Sequence, residues 1–202
     1  FLPVQFITKK FLIISLFIVL ITNLNNSFSY AKSIDDYGII SIMYHRFEEN
    51  KYPSTNIKIK DFKTHIDLIE KSKFKFISHN EFEEAINSKS LEKKILITVD
   101  DGFISFYNNA WPILKKKKIP FIIFINTETI GSNGYMDWPQ IKEISKFNFV
   151  HIGNHSHSHG YLVDKTDEEI EKDLKTSIKI FKEKLNHETK FFAYPFGEYK
   201  KS

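Results

Sequence analysis

Apolar residues fall along the chain in two alternating patterns, short unbroken runs and helical spacings. Gly38–His45 is an apolar run of strand length that ends at polar residues, and it reads as a buried first strand. Phe62, Ile66 and Ile69 lie at helical spacing behind Asp61, and Asn80 with Glu83 three positions on reads as the capping-box start of a short helix ending near Ile86. The two helices are expected to cover one face of a sheet. The run Lys94–Val99 is a second buried-strand pattern, stopped by Asp100-Asp101-Gly102, and Ile119–Ile125 is a third. Between these two strands, Phe106–Lys116 has room for a helix. Further on, the pattern predicts a helix over Pro139–Lys146, a strand over Phe149–Ile152 and a strand over Lys190–Ala193. Before the last of these comes a long helix behind the Thr166…Glu169 capping box, with Ile170, Leu174, Ile178, Phe181 and Leu185 on one face.

Strand and helix alternate throughout, which calls for an α/β fold with a mainly parallel sheet and right-handed crossovers. Periodicity alone leaves open whether the sheet is doubly wound or closed into a barrel. In either case chemistry belongs at the C-terminal ends of the strands. The chain shows no internal repeat and no linker rich in Pro, Gly or Ser.

Composition narrows the chemistry. The 202 residues suit one domain with a real core, and zero Cys removes disulfides, thiolate-held metal and a thiol nucleophile, so any metal must be held by His and carboxylate. The net charge of +4 drops to +2 once the basic Phe1–Ala31 segment is set aside, which is no nucleic-acid footprint, and the Lys115–Lys118 run reads as a solvated helix end. In Phe1–Ala31, Lys9-Lys10 precede the apolar stretch Phe11–Ile21, and Ser29-Tyr30-Ala31 offers small residues for cleavage. Residues 1–31 are therefore expected to be a removed signal peptide or an N-terminal membrane anchor, and 32–202 an exported, partial catalytic domain. Phe1 and Lys200-Lys201-Ser202 read as the ends of a fragment.

Two strand-end clusters carry the chemistry. Asp100 and Asp101 side by side repel each other and cost desolvation, so a fold tolerates them where a cation or solvent relieves them; the alternative is a solvated Asp-Gly turn. The second cluster is Asn154-His155-Ser156-His157-Ser158-His159-Gly160. A helical turn would put His155 and His159 on one face, whereas an extended segment would align all three His. If both clusters share one rim of a parallel sheet, they can converge on one divalent ion as a hydrolytic site, with the second carboxylate free to take a proton from water.

These residues resemble the polysaccharide deacetylases, carbohydrate esterases with the NodB-homology domain. Thr98-Val99-Asp100-Asp101-Gly102 is similar to the family's T-F-D-D-G motif, and His155–His159 to its H-[S/T]-x-x-H. Phe192–Gly197 resembles its third motif, and Met43–Arg46 and Gly134–Trp138 resemble flanking signatures of one branch. The resemblance implies a distorted parallel (β/α) barrel, incomplete at the C-terminus. It implies Asp101, His155 and His159 as metal ligands, Asp100 as general base, and the Phe196 backbone N–H as an oxyanion donor. Tyr194 and Pro195 would line the substrate groove, the alternative being a strand end that walls the core; Trp138 would be a platform for a sugar ring there or, alternatively, a staple at a helix start. Zinc is the default metal, with cobalt, manganese or nickel also suited to two nitrogens and one oxygen. The implied activity is removal of N-acetyl groups from an extracellular or cell-envelope polysaccharide such as an N-acetylglucosamine polymer or peptidoglycan; the alternative is a catalytically inactive sugar-binding module that keeps the metal and the groove. Val99 replaces the motif's Phe, and Thr189–Tyr199 holds no Arg to orient the base. The Leu-x-His that supplies the family's general acid is expected beyond Ser202. Among the other histidines only His45 is placed near the rim, with a structural role expected for it. Nothing in the sequence speaks to oligomeric state.

Overall fold

In the computed structural model, which describes residues 38–88 and 91–199, the unbroken apolar runs become strands. The expected leader over 1–31 lies outside the described residues. In chain order the elements begin β1 (Ile39–Tyr44), β2 (Arg46–Phe47), β3 (Asn56–Ile57), α1 (Ile59–Lys71), β4 (Lys75–Phe76), α2 (His79–Asn87) and β5 (Lys94–Asp100). A π-helical turn over Phe106–Ala110 runs into α3 (Trp111–Lys117). Then follow β6 (Phe121–Ile125), α4 (Trp138–Ile144), β7 (Val150–Asn154) and α5 (Asp167–Leu185), with 3₁₀ turns at Leu162–Asp164 and Pro195–Gly197. No helix among the described residues is long and apolar enough to cross a membrane.

The main sheet runs β1-β5-β6-β7 and every pairing in it is parallel. Short β4 takes the first two positions of the β5 edge that β6 occupies from Ile97 onward. The expected strand over Lys190–Ala193 is reduced to one parallel bridge, Asn154↔Phe192, which still extends the sheet beyond β7. Alternate residues of a strand face opposite sides, and the sequence fills both. Ile95, Ile97, Val99, Phe121, Ile123, Ile125 and Ile152 join the larger core with Phe62 and Ile66 of α1, Leu114 of α3, Ile141 of α4 and Phe181 of α5. Leu96, Ile122 and Phe124 form a smaller cluster with Ile77, against which Phe82 of α2 packs.

Three expectations need correction. First, α1 and α2 do not share a face, because β4 carries the chain across the β5 edge between them and α2 meets the smaller cluster. Second, α2 is capped two residues earlier than expected: Ser78 and Glu81 form the reciprocal box, and their hydroxyl and carboxylate satisfy the first backbone amides. Third, on α5 Ile178 is 53% exposed, while Asp173 and Ser177 are buried in the face expected to be apolar.

Candidate metal centre

β5 is hydrogen-bonded on both edges, so its polar last residue emerges only at the rim where the sheet stops. Asp100 ends the strand, Asp101 turns into the left-handed region at φ 74°, and Gly102 follows at φ 78°. A side chain on Gly102 would also lie 2.8 Å from Ile125 Cδ1, so the turn that presents the two carboxylates needs glycine at that position. Beyond β7 the histidine segment is neither of the two regular forms considered from the sequence. Ser156 and His159 adopt φ 67° and 53°, which folds the loop back on itself. The His155 amide bonds the Ile125 carbonyl at 2.9 Å, and the amides of Thr127 and Glu128 bond the Ser156 and His157 carbonyls. The loop is thereby fixed to the end of β6.

This folding brings Asp101, His155 and His159 together, with ligand atoms all within 4.8 Å of one another. Asp101 Oδ1 is 3.0 Å from His159 Nε2 and 3.5 Å from His155 Nε2. His157 is turned away, its Nδ1 2.8 Å from Thr127 Oγ1. His155 Nδ1 lies 2.8 Å from the Ala193 carbonyl. A carbonyl can only accept, so Nδ1 carries the proton and Nε2 presents a lone pair toward Asp101. Asp101 Oδ1 is itself buried and has no hydrogen-bond partner. Two imidazole nitrogens and a carboxylate oxygen within 4.8 Å of one another are the donor set that a divalent cation of zinc type satisfies, so the residues fit the implied metal.

The charges around this point are displaced in consistent directions. Burial, with Asp101 next to it, pushes the Asp100 carboxyl up to about 7. Burial would raise Asp101 as well, but His159, His155 and His45 outweigh it and hold that carboxyl below its usual range. Burial lowers His155 to about 4, against the opposing pull of the Ala193 carbonyl. His45 is lowered too, again mainly by burial.

His45 stands at the rim, where the sequence placed it, and β1 brings it beside Asp100. Tyr44 pairs with Val99, so the next residue of each strand, His45 and Asp100, leave the sheet side by side, and His45 Nε2 lies 4.0 Å from Asp100 Oδ2. Chain order gave no sign that β1 neighbours β5. The third-motif segment reaches the same rim. Phe196, at φ 60°, puts its ring 4.7 Å from that of His159 and stacks on Tyr161 at 3.9 Å. Pro195 is buried, while Tyr194 is half exposed and lines a cavity of about 590 Å³ with Leu162, Phe192 and Tyr199. Trp138, which the sequence leaves between a groove platform and a helix-start staple, packs edge-on against Phe181 at 6.2 Å and against the larger core. A second cavity, of about 430 Å³, is lined by Arg46, Tyr52, Phe103 and Tyr135 together with Asp101 and His159. The Arg46 guanidinium lies 3.4 Å from the Phe103 ring centre and 4.4 Å from that of Tyr52.

The chain is similar to known proteins in sequence and in fold. A family model described as polysaccharide deacetylase matches residues 87–202. YxkH of Bacillus subtilis (strain 168) is 27% identical over 160 residues, covering 78% of this chain and 56% of its own. The poly-beta-1,6-N-acetyl-D-glucosamine N-deacetylase of Staphylococcus aureus (strain MSSA476) is 27% identical over 156 residues, covering 70% of this chain and 54% of its own. The chain thus spans little more than half the length of these relatives. Among solved structures, IcaB from Ammonifex degensii superposes with a TM-score of 0.74 at 28% identity, over 81% of this chain and 76% of that one. The Streptococcus pyogenes deacetylase PplD, in complex with acetate, gives 0.71 at 26% identity, over 80% and 75%.

Proposed function

The chain belongs to the polysaccharide deacetylase family, and from that premise we propose that it is part of an exported, divalent-metal hydrolase that removes N-acetyl groups from a cell-envelope or extracellular polysaccharide. The observation that carries this reading is the convergence of Asp101 Oδ1, His155 Nε2 and His159 Nε2 beside a carboxyl and an imidazole that do not belong to the donor set, Asp100 and His45. The basic and apolar start of the sequence supports export, through a cleaved leader or a membrane anchor. The substrate named for the Staphylococcus aureus relative makes poly-β-1,6-N-acetyl-D-glucosamine the first polymer to test.

Asp101, His155 and His159 would hold the metal, zinc by the character of the donors. When bound, such a cation makes water more acidic and polarises the acetamide carbonyl. Asp100 takes a proton from the attacking water, a task suited to a carboxyl raised toward neutrality. The water's oxygen bonds to the carbonyl carbon, and the backbone N–H of Phe196 helps hold the oxyanion. As the C–N bond breaks, the proton that Asp100 has taken passes to His45, 4.0 Å away, and from it to the leaving nitrogen, releasing acetate and a free amine. The Leu-x-His that the family resemblance implies beyond Ser202 is the other source of this proton.

The test is acetate release from a panel of N-acetylated glycans by the complete protein. Release is expected, and a chelator should abolish it. His45→Ala should lower turnover by about 10²–10⁴-fold with metal content unchanged. Undiminished turnover in that variant removes the acid role. Glycan binding without any acetate release favours the silent sugar-binding module.

A further inference from the structure

Asp173 sits in the middle of α5, 7% exposed, among residues that otherwise pack against the sheet. An isolated buried carboxylate is costly, so its partners indicate what it is for. It accepts hydrogen bonds from the His157 amide at 2.6 Å, the Ser158 amide at 3.1 Å and the Ser158 hydroxyl at 2.5 Å, and the Lys165 ammonium is 3.4 Å away. His157 and Ser158 lie between the two histidines that face Asp101. One turn further along α5, the Ser177 hydroxyl accepts from the Asn154 side-chain amide at 2.9 Å, and Asn154 Oδ1 in turn accepts from the Ser156 amide at 2.9 Å. Within the loop, Ser156 Oγ accepts from the His159 amide at 2.9 Å. One helix therefore grips the loop at its start and at its midpoint. Between those two grips the chain takes the left-handed turn at Ser156, and just past the second it takes the one at His159.

We propose that Asp173 is the positioning residue of the metal centre: from α5 it fixes the His157–Ser158 backbone so that His155 and His159 arrive together at Asp101. The proposal rests on the metal reading above only for its consequence, because the grip on the loop is a property of the metal-free chain. Asp173 touches neither the ligand atoms nor the substrate cavity beside Asp101. It acts through the two peptide N–H groups it binds, as outer-shell partners of metal ligands do.

In Asp173→Asn the side chain keeps its shape, but one acceptor oxygen becomes an N–H₂ facing the Ser158 donors. Zinc affinity of the full chain, measured by competition with a chromophoric chelator, should fall about 10–100-fold, and the visible spectrum of the cobalt-loaded variant should change. Phe181→Leu, in the core face of the same helix, is the control for lost stability and should leave zinc affinity at the wild-type level. Wild-type affinity in Asp173→Asn, or an equal loss in Phe181→Leu, overturns the proposal. Should Asp173→Asn fail to fold, Ser158→Ala and Lys165→Met each remove one contact and should each weaken zinc binding by a smaller factor; no loss in either overturns it. Hydrogen exchange without metal separates this idea from the function it serves. The His157 and Ser158 amides should be protected in the wild type and exchange faster in Asp173→Asn. Rapid exchange in the wild type defeats the positioning role, whereas protection in a wild-type chain that binds no zinc upholds it and defeats the metal reading.

Discussion

Asp101 and the two histidines facing it each supply one lone pair, so the loss of any one leaves a two-donor remnant. Asp101→Ala, His155→Ala and His159→Ala should each lower bound metal severalfold by elemental analysis, while His157→Ala should stay near wild type because its ring is directed at Thr127. Normal metal in all three ligand variants would dissolve the centre. These residues were visible in the sequence because polar side chains interrupt apolar strand runs where a parallel sheet must end. Trp138 stayed between two readings for a reason equally local: an aromatic at the first position of a helix looks the same whether it turns toward a groove or, as here, toward Phe181. Asp173 gave no signal at all. Its value comes from two backbone amides in a loop that precedes its own helix, and side-chain patterns carry no record of that.

At the level of elements, α2 meets β7 through a histidine stack. The His79 ring lies 4.3 Å from that of His151, which packs edge-on against His187 at 5.2 Å. His79 Nδ1 and His151 Nε2 are buried without partners, and His187 Nε2 is bonded to the Ile152 carbonyl. Burial first, then His79, His187 and Lys190, lowers His151 from 6.5 to about 4, and His79 is lowered as well despite Glu83. Between those two pH values the unfolded chain binds more protons than the folded one at His151, so stability rises with pH across the window. It is fully present above about 6.5 and is lost as pH falls toward 4, by an amount on the order of 1–3 kcal/mol. Denaturant midpoints at pH 7 and pH 5 should show this drop in the wild type and a smaller one in His151→Phe; equal drops would refute it. The strand and helix runs were legible from periodicity, but the side of the sheet each helix takes was not. The two-residue β4 that redirects the chain between α1 and α2 is too short to leave a pattern.

For the molecule as a whole, Asp101 and the two histidines come from segments far apart in sequence that meet only when the sheet is assembled, so metal should bind the folded state alone. A hundredfold excess of zinc over its dissociation constant would then add about 2.7 kcal/mol. A chelator should accordingly lower the melting temperature of the wild type and leave that of Asp101→Ala unchanged; an equal shift in both would mean that the cation binds elsewhere. The parallel α/β plan could be read from alternation, whereas the lateral order β1-β5-β6-β7 could not, and with it went the pairing of His45 with Asp100. The backbone of the rim has a consequence of its own. Asp101, Ser156, His159 and Phe196, none of them glycine, all hold the left-handed conformation there, at a cost of about 1–3 kcal/mol each. From that posture Asp101 and His159 bring their donor atoms together and Ser156 Oγ accepts the His159 amide, so glycine at these three positions would relieve the strain and lose the contact in one step.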